Sequence, residues 1–539
     1  MKKINYILPS VILASGLAAC NDLDTNPMSG YITEDQRTDV IAADPAKIDA
    51  VSAGVYGNYN GWELSYASYS DFGLPALFLQ WDFRTADIVS DNVDMYGWFS
   101  DCAEYLDNTA SNSYNTCRWG LAYNTINSTS QVLLSIDPET DDDLLKYYRA
   151  QALGNRAYVY WLLAQQYQFN YVGHQNDPCV PIITDENVDE VAINGAPRAT
   201  VQEVYDQILS DLNTALSLVE GNPQATRSDK RYIDKNVLLA LRARTYLCMQ
   251  EYSKAAADAQ AVINSGVFTP LSASQALLPG FSELSSSNWI WGVNMDTEDV
   301  HGLYTFAGMM GSYTYGYAYV GMWKLIDSAL WEKIPTQDVR KLWWIAPGTR
   351  ESNAQYYTAA DGDAVAYLDE VGAPDYAVVK FAPYNNELQQ SNNESDVPII
   401  RIEEMYLILA EAQGLGGNLA QGKTTLENFV NNYRWNGSPA YTSSASSADE
   451  FLDEVWFQRR VELWGEGINY FDVLRLNKPI DRQSNGTSNW LDPANKMQSY
   501  AYYIPAGSPV LIYQIPTTVI DNNPQITAAD QNPVGDASL

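Results

Sequence analysis

The chain has 539 residues, enough for one large domain or two to three ordinary ones, and 46% of them are hydrophobic, which excludes a wholly disordered protein. Its formal net charge of -34, from 66 acidic and 32 basic residues, repels nucleic acids and anionic lipid headgroups and favours neutral or cationic ligands. The 38 tyrosines and 15 tryptophans combine a flat apolar face with a polar group, which suits wet interfaces and stacking on sugar rings.

The first twenty residues are typical of an exported lipoprotein. Two lysines precede a mostly apolar run over residues 4–17, which is too short to span a bilayer of about 30 Å and indicates a signal-peptide core. Small residues then lead directly into Cys20, an arrangement that looks like a bacterial lipobox in which this thiol is acylated. A plain secretory signal with an incidental cysteine is the alternative. We predict a signal peptide over 1–19, and a lipid anchor with an irregular tether over 20–45.

Helical spacing of apolar residues predicts a mainly α scaffold. In one of the clearest helices, over 200–219, Thr200 is the predicted N-cap and Glu203 completes a capping box. Two helices at about 235–250 and 252–264 have the alanine spacing of a tetratricopeptide hairpin, because small residues let two helices approach closely. We expect one domain over 46–539, with helical hairpins at about 46–59, 142–168, 200–266, 397–434 and 449–476.

Two stretches, residues 60–120 and 267–395, break the helical pattern and are predicted to be loops and short strands laid over the scaffold. Long irregular segments in a compact domain are usually functional. Aromatic rings on such loops suit a carbohydrate platform, because they stack on sugar rings while nearby polar side chains bind the hydroxyls. The alternative is that each ring packs as local core. The predicted ligand contacts are Trp62, Trp81, Tyr96, Trp98, Tyr315, Tyr317, Tyr319 and Trp323.

Residues 417–424 match the phosphate-loop pattern GxxxxGK[ST] letter for letter. That loop cradles phosphates where a buried strand leads into a helix. Here the preceding residues have helical spacing, and the chain is predicted to be exported. We therefore interpret the match as a turn between paired helices, with Gly417 near a C-cap.

Nothing in the sequence argues positively for catalysis or for a cofactor. Carboxylate pairs are frequent in so acidic a chain and are weak evidence for a glycosidase. No GxSxG motif occurs, and neither histidine has the context of a catalytic triad. Asp91 and Asp94 could hold calcium together with nearby carbonyls, but their spacing is not that of an EF-hand, so no metal is predicted.

Five cysteines do not make a disulfide scaffold at this length. Cys102 and Cys117 could pair in an oxidising compartment, whereas Cys179 and Cys248 are predicted to be buried thiols. With two histidines and no CxxC motif, a zinc site is not expected.

Five separated segments, in order along nearly the whole chain, resemble those of one protein family. They are the cysteine, Leu-Asp and proline within 20–27, RAQA with RAY at 149–158, DVPIIR through AEA at 396–412, QRRVEL through FDVLR at 458–475, and YYIP, IP and NNP within 502–524. Together they make the chain similar to the SusD/RagB family, the surface lipoproteins of Bacteroidetes nutrient-uptake systems.

This resemblance implies a mainly α, SusD-like fold in which tetratricopeptide-like hairpins cradle a partner and irregular loops hold the ligand. The implied partner is a TonB-dependent, SusC-like transporter, and the implied location is the outer membrane, lipid-anchored and facing the cell exterior. The implied function is capture of a glycan or oligosaccharide without chemistry. Peptide binding within the same family, or an α-rich glycoside hydrolase, are the alternatives.

The matching motifs belong mostly to the scaffold. We expect buried ion pairs between Arg401 and Glu411, and between Asp472 and the neighbours Arg459 and Arg460. The family's ligand contacts lie in variable loops, so the resemblance assigns no ligand-binding residue.

Overall fold

A computed structural model describes residues 34–64, 70–90, 99–278, 280–314, 316–317, 322–357, 362–389, 393–483, 488–492 and 498–535. The helices in the first half of the chain are α1 (Glu34–Ala43), α2 (Ile48–Asn60), α3 (Leu74–Asp82), α4 (Ser100–Glu104), α5 (Ser113–Leu134), α6 (Asp143–Tyr167), α7 (Val188–Asn194), α8 (Val201–Val219), α9 (Lys235–Cys248) and α10 (Tyr252–Asn264). Those in the second half are α11 (Ala273–Ala276), α12 (Phe306–Met310), α13 (Ser328–Lys333), α14 (Ala364–Glu370), α15 (Ile402–Leu415), α16 (Leu419–Tyr433), α17 (Ala448–Glu462), α18 (Asn469–Arg475) and α19 (Thr517–Asn522). None of these helices has both the length and the hydropathy that a membrane crossing requires.

The longer helices pack on one another in chain order. Successive contacts run from α2 through α5, α6, α8, α9, α10, α15 and α16 to α17. Small residues allow the close crossings: at Gly422 of α16, an added Cβ would lie 2.7 Å from the Cα of Gly414 in α15. The predicted helical scaffold is confirmed, since each repeat buries its apolar face against its neighbours.

Local signals in the sequence set several helix boundaries. Thr200 caps α8, and Glu203 completes the predicted capping box. The phosphate-loop match follows helix α15 and not a strand, and Gly417, at a φ of 99°, lies in the turn that leads into α16. The interpretation of this motif as a turn between paired helices is therefore confirmed.

Two predictions about irregular segments are wrong. Residues 34–43, within the predicted tether, form helix α1, and the predicted loop region over 60–120 contains α3, α4 and the start of α5. Helix α3 is buried on every side, which removes any polar–apolar period. Helix α5 buries polar side chains, and Thr125 and Ser130 bond carbonyl groups one turn earlier.

Short antiparallel ribbons connect distant parts of the chain. The strands are β1 (Ile88–Ser90), β2 (Trp289–Val293), β3 (Lys324–Ile326), β4 (Val397–Arg401), β5 (Ile480–Asp481) and β6 (Tyr503–Ile504). Strand β1 pairs with β3, with Ile88 opposite Ile326. The two predicted insertions, the stretches over residues 60–120 and 267–395, are therefore hydrogen-bonded to each other. Strand β2 pairs with β4, and β5 with β6.

A buried network of charges joins β4 to the helices around it. Its members are Asp338, Arg340, Lys380, Arg401, Glu403, Arg434, Glu462 and Glu466. Glu462 binds Arg401 at 3.0 Å and Arg434 at 2.8 Å. Burial alone would raise the pKa of Glu462, but these guanidinium groups hold it well below its ordinary value.

Two of the predicted ion pairs have other partners. Arg401 binds Glu462 and Glu466, whereas Glu411 binds Arg475 at 2.8 Å. Arg460 binds Asp87, just before β1. Its neighbour Arg459 contacts Asp472 at 2.6 Å, as expected, and Arg475 contacts the same carboxylate at 2.7 Å. The correction follows from the helix stacking, which turns Glu411 toward α18 and Arg460 toward the ribbon of β1 and β3.

The four cysteines in the described ranges are free, buried thiols. The possible pairing of Cys102 with Cys117 is therefore not formed, and Cys179 and Cys248 are buried as predicted. Burial raises the pKa of Cys248 to about 11, which keeps this thiol protonated at neutral pH.

Candidate functional site

A column of aromatic rings brings the two predicted insertions together. The ring of Trp62 lies on that of His301, with centroids 4.9 Å apart and planes at 25°, and beside that of Tyr304 at 5.2 Å. Tyr304 in turn stacks on Tyr317, with centroids 5.5 Å apart. His301 is exposed, Trp62 and Tyr304 are half-buried, and Tyr317 is buried. The column therefore runs from the surface inward in the order His301, Trp62, Tyr304 and Tyr317.

Two helix ends hold this column in place. Trp62 follows the last turn of α2, immediately after Gly61. Tyr304 precedes α12, whose N-cap Thr305 accepts a hydrogen bond from the amide of Gly308 at 3.1 Å. The amide of Tyr317 donates to the carbonyl of Gly308 at 2.7 Å, which fixes the chain beside the column.

Gly316 lets the chain return onto α12 at this point. A Cβ at Gly316 would lie 2.1 Å from the carbonyl oxygen of Gly308, so a glycine is required there. Gly316, in the glycine- and tyrosine-rich run over residues 311–323, thus has a structural role that composition alone did not reveal.

An acidic loop borders the exposed end of the column. Asp296, Glu298 and Asp299 lie just before His301, and the amide of Asp296 donates to the carboxylate of Asp299 at 3.2 Å. Burial raises the pKa of Asp299 from its ordinary value, and the nearby carboxylate of Asp296 raises it further. The loop gives this end of the site a negative potential.

Two of the eight predicted ligand contacts, Trp62 and Tyr317, belong to the column, where Tyr317, at 7% exposure, is a buried support and not a contact surface. Trp81 is a core residue with 0% exposure: its indole nitrogen donates to Gln166 at 3.1 Å and its ring packs on Phe471. Trp323 is also buried, at 3% exposure, just before β3. For these two tryptophans the structure corrects the predicted ligand contact, because their rings are covered by protein.

The remaining predicted contacts lie outside the described residues and stay predictions: Tyr96, Trp98, Tyr315 and Tyr319. The predicted acylation site Cys20 also lies outside them, as do Asp91 and Asp94, for which no metal is predicted. Sequence reasoning missed His301 and Tyr304 as site residues. Their proximity to the Gly/Tyr run of 311–323 is the signal that could have found them. In the parts of the chain that the structure describes, no group of three or more metal-ligating side chains is arranged around a common point.

Comparison with known proteins gives consistent matches over the chain. A family model described as "Starch-binding associating with outer membrane" (SusD-like) matches residues 33–247, and a model described as "SusD family" matches residues 331–534, so that together they cover more than half of the chain. SusD-like protein P2 of Formosa agariphila is 24% identical over an alignment 554 residues long, which covers 97% of this chain and 100% of that protein. SusD-like protein P38 of the same organism is 25% identical over 53% of this chain and 59% of its own length.

Solved structures share the fold. A SusD-like carbohydrate binding protein from Bacteroides vulgatus superposes with a TM-score of 0.72 at 22% identity, over 91% of this chain and 98% of that one. A SusD superfamily protein from Bacteroides thetaiotaomicron gives a TM-score of 0.68 at 22% identity, over 91% and 99%. At this identity the likeness establishes the architecture, and the ligand has to be argued from the site.

Proposed function

The chain belongs to the SusD/RagB family, and on this premise we propose that it binds a glycan or oligosaccharide at the cell surface and delivers it to a TonB-dependent, SusC-like outer-membrane transporter. The function is binding without catalysis. Its support is the family membership, the description of one matching family model as starch-binding, and the description of the Bacteroides vulgatus neighbour as carbohydrate binding.

The aromatic column is the observation that carries the proposal. Sugar rings present faces of C–H groups, which pack on flat aromatic rings, and hydroxyl groups, which need polar partners at the edge. His301 offers an exposed ring, and the half-buried ring of Trp62 lies directly beneath it, while Tyr304 and Tyr317 support both from within. Asp, Glu and Asn side chains of the adjoining loop provide the polar edge.

The placement at the outer membrane rests on the sequence and the family. The lipobox-like segment ending at Cys20 supports an acyl anchor, and one matching family model is described as associating with the outer membrane. A protein that opens and closes over a transporter like a hinged lid needs such a tether. Residues 20–33, which precede the first described helix, would provide it. We propose that the anchored protein faces the cell exterior and caps the transporter's mouth.

Affinity electrophoresis tests the binding function directly. The mature protein is run through gels that contain plant, microbial and host mucin polysaccharides, one at a time. The proposal predicts retardation by at least one polysaccharide that is lost when free oligosaccharide of the same kind is added. Unchanged migration in every gel, with saturable binding of cationic peptides instead, would contradict it.

A further inference from the structure

A cavity of about 230 Å³ lies next to the aromatic column. Its polar wall is formed by Asn60, Arg231, Tyr232, Asn294, Asp296 and Asp299. Its apolar floor includes Tyr59, which is buried and packs edge-on against Trp291 of β2 at 6.0 Å. A polar rim over an apolar floor is the usual composition of a small-molecule site.

Two separate chain segments join this cavity to the column. Asn60 lines the cavity and Trp62 lies two residues further on, while Asp299 lines it and His301 lies two residues further on. Because two residues of extended chain span at most about 7 Å, the Cα atoms of Asn60 and Asp299 lie within that distance of those of Trp62 and His301. The column and the cavity are therefore built on the same two chain segments.

Side-chain groups on the rim are available for hydroxyl groups. The side-chain amide of Asn60 reaches the carbonyl of Asn294 at 3.3 Å, which leaves the amide group of Asn294 itself at the rim. The ring of Tyr232 stands edge-on to Tyr56 at 4.9 Å, and Tyr232 is half-buried. Amide and phenol groups each donate and accept hydrogen bonds, as sugar hydroxyls do.

The charges on the rim select against anions. Asp296, Glu298 and Asp299 face the cavity with one cation among its lining residues, Arg231, and that guanidinium is bound to Asp229 at 3.0 Å. An anionic group entering here would meet several carboxylates at short range in a partly desolvated place. Neutral sugars carry no such penalty, and amino sugars gain attraction.

We infer that this cavity is a second sugar subsite, so that a glycan chain stacks on Trp62 and His301 with one part and inserts the next part between Asn294 and Asp299. The chain it takes is neutral or amine-bearing and carries no uronic acid or sulfate at that position. This inference rests on the proposed glycan binding and adds an extended, charge-selective site to it.

Gly57 of α2 provides the test. It lines the cavity, it is exposed, and apart from the helix itself no atom lies within 4 Å of the position that its Cβ would take. Gly57→Trp therefore fills the cavity without removing any contact of the column. Gly57→Ala controls for the backbone change, and Gly54→Trp places the same ring one turn earlier, where the Cβ also has open space outside the cavity lining.

The probes are the disaccharide and the octasaccharide cut from the polysaccharide that retards the protein most, together with the carboxymethylated octasaccharide. In calorimetric titration, Gly57→Trp should bind the octasaccharide about tenfold more weakly than the native protein, because one to two hydrogen-bonded contacts are lost. Its affinity for the disaccharide should be unchanged. The controls Gly57→Ala and Gly54→Trp should bind the disaccharide and the octasaccharide with the affinity of the native protein. Carboxymethylation of the octasaccharide should weaken its binding to the native protein by at least about tenfold.

The outcomes test the second subsite, its charge selectivity and the underlying glycan binding separately. Equal native affinity for disaccharide and octasaccharide, or native-like octasaccharide binding by Gly57→Trp, would overturn the second subsite while leaving glycan binding intact. Equal binding of the carboxymethylated chain would overturn the charge selectivity. Native-like binding of every probe by Trp62→Ala would overturn the aromatic column as the glycan site, whereas failure of the native protein to bind either oligosaccharide would overturn the proposed function itself.

Discussion

Single residues of the family-like motifs have identifiable physical roles. Gly467, in the segment 458–475, has a φ of 71°, a left-handed conformation that favours glycine. A Cβ there would lie 2.8 Å from the Cα of Phe78 in α3, and the amide of Gly467 donates to Asp82 at 2.9 Å. The glycine lets the turn before α18 press against the backbone of α3. A glycine is required at position 467 because the backbone is left-handed there and because α3 packs too closely to leave room for a side chain.

Gly467→Ala should lower the free energy of unfolding by at least about 2 kcal/mol, because it adds left-handed strain to a clash with backbone atoms. Gly507→Ala is the matched control: its φ is 72°, but the atom nearest to its Cβ position is 4.0 Å away. That variant should lose about 1 kcal/mol from strain alone. Urea unfolding of both variants measures the difference, and equal losses would contradict the packing role of Gly467.

At the scale of helices and strands, the buried charge network holds the second half of the scaffold together. Glu462 of α17 binds Arg340, Arg401 and Arg434, and Arg401 ends β4, so that one carboxylate connects several elements. The sequence indicated that Arg401 would be paired, but the partner that it suggested, Glu411, binds Arg475 instead. In a chain with 66 acidic residues, the partner is decided by helix stacking, which local sequence does not encode.

Glu462→Gln should destabilise the fold by about 3–5 kcal/mol, because it leaves buried guanidinium groups without their counter-charge. The control is Asp453→Asn, which removes the exposed pair with Lys478 and should cost about 0–1 kcal/mol. Chemical unfolding followed by tryptophan fluorescence gives both values. If Glu462→Gln lost less free energy of unfolding than the control Asp453→Asn, the network would not stabilise the fold.

At the scale of the whole molecule, the sequence predicts the scaffold better than the site. Helix α8 carries strong apolar periodicity and a capping box, so its position follows from local rules. The site depends on contacts such as Trp62 with His301, which join residues far apart in the chain. Composition identified aromatic-rich stretches, but it could not separate the core residue Trp81 from the half-exposed Trp62.

The stability of the molecule should be greatest in mildly acidic solution. Burial raises the pKa of Asp396 to about 6, so the folded state takes up this proton before the unfolded chain, and stability increases as the pH falls through 6. Burial opposes ionisation of Glu466 as well, but Arg401 and Lys380 hold its pKa below the ordinary 4.5. Its contribution is therefore complete above 4.5 and is lost as the pH falls further.

Urea midpoints measured across the pH range should show a maximum between about 4.5 and 6, with lower values near neutrality and below about 4. The variant Asp396→Asn should flatten the rise between neutrality and pH 6, since it removes the group that titrates there. A midpoint that increases steadily from pH 5 to neutrality in the native protein would contradict the assignment of Asp396.

The most direct test of the account is the affinity of Trp62→Ala for the polysaccharide that retards the native protein most. Removal of a central stacked ring should weaken binding by roughly tenfold or more and lower the Tm by no more than about 3 °C. Trp435→Ala, a partly exposed tryptophan just after α16, is the control and should bind like the native protein. Loss of affinity confined to Trp62→Ala supports the aromatic column as the glycan site. Native-like affinity of Trp62→Ala would contradict it.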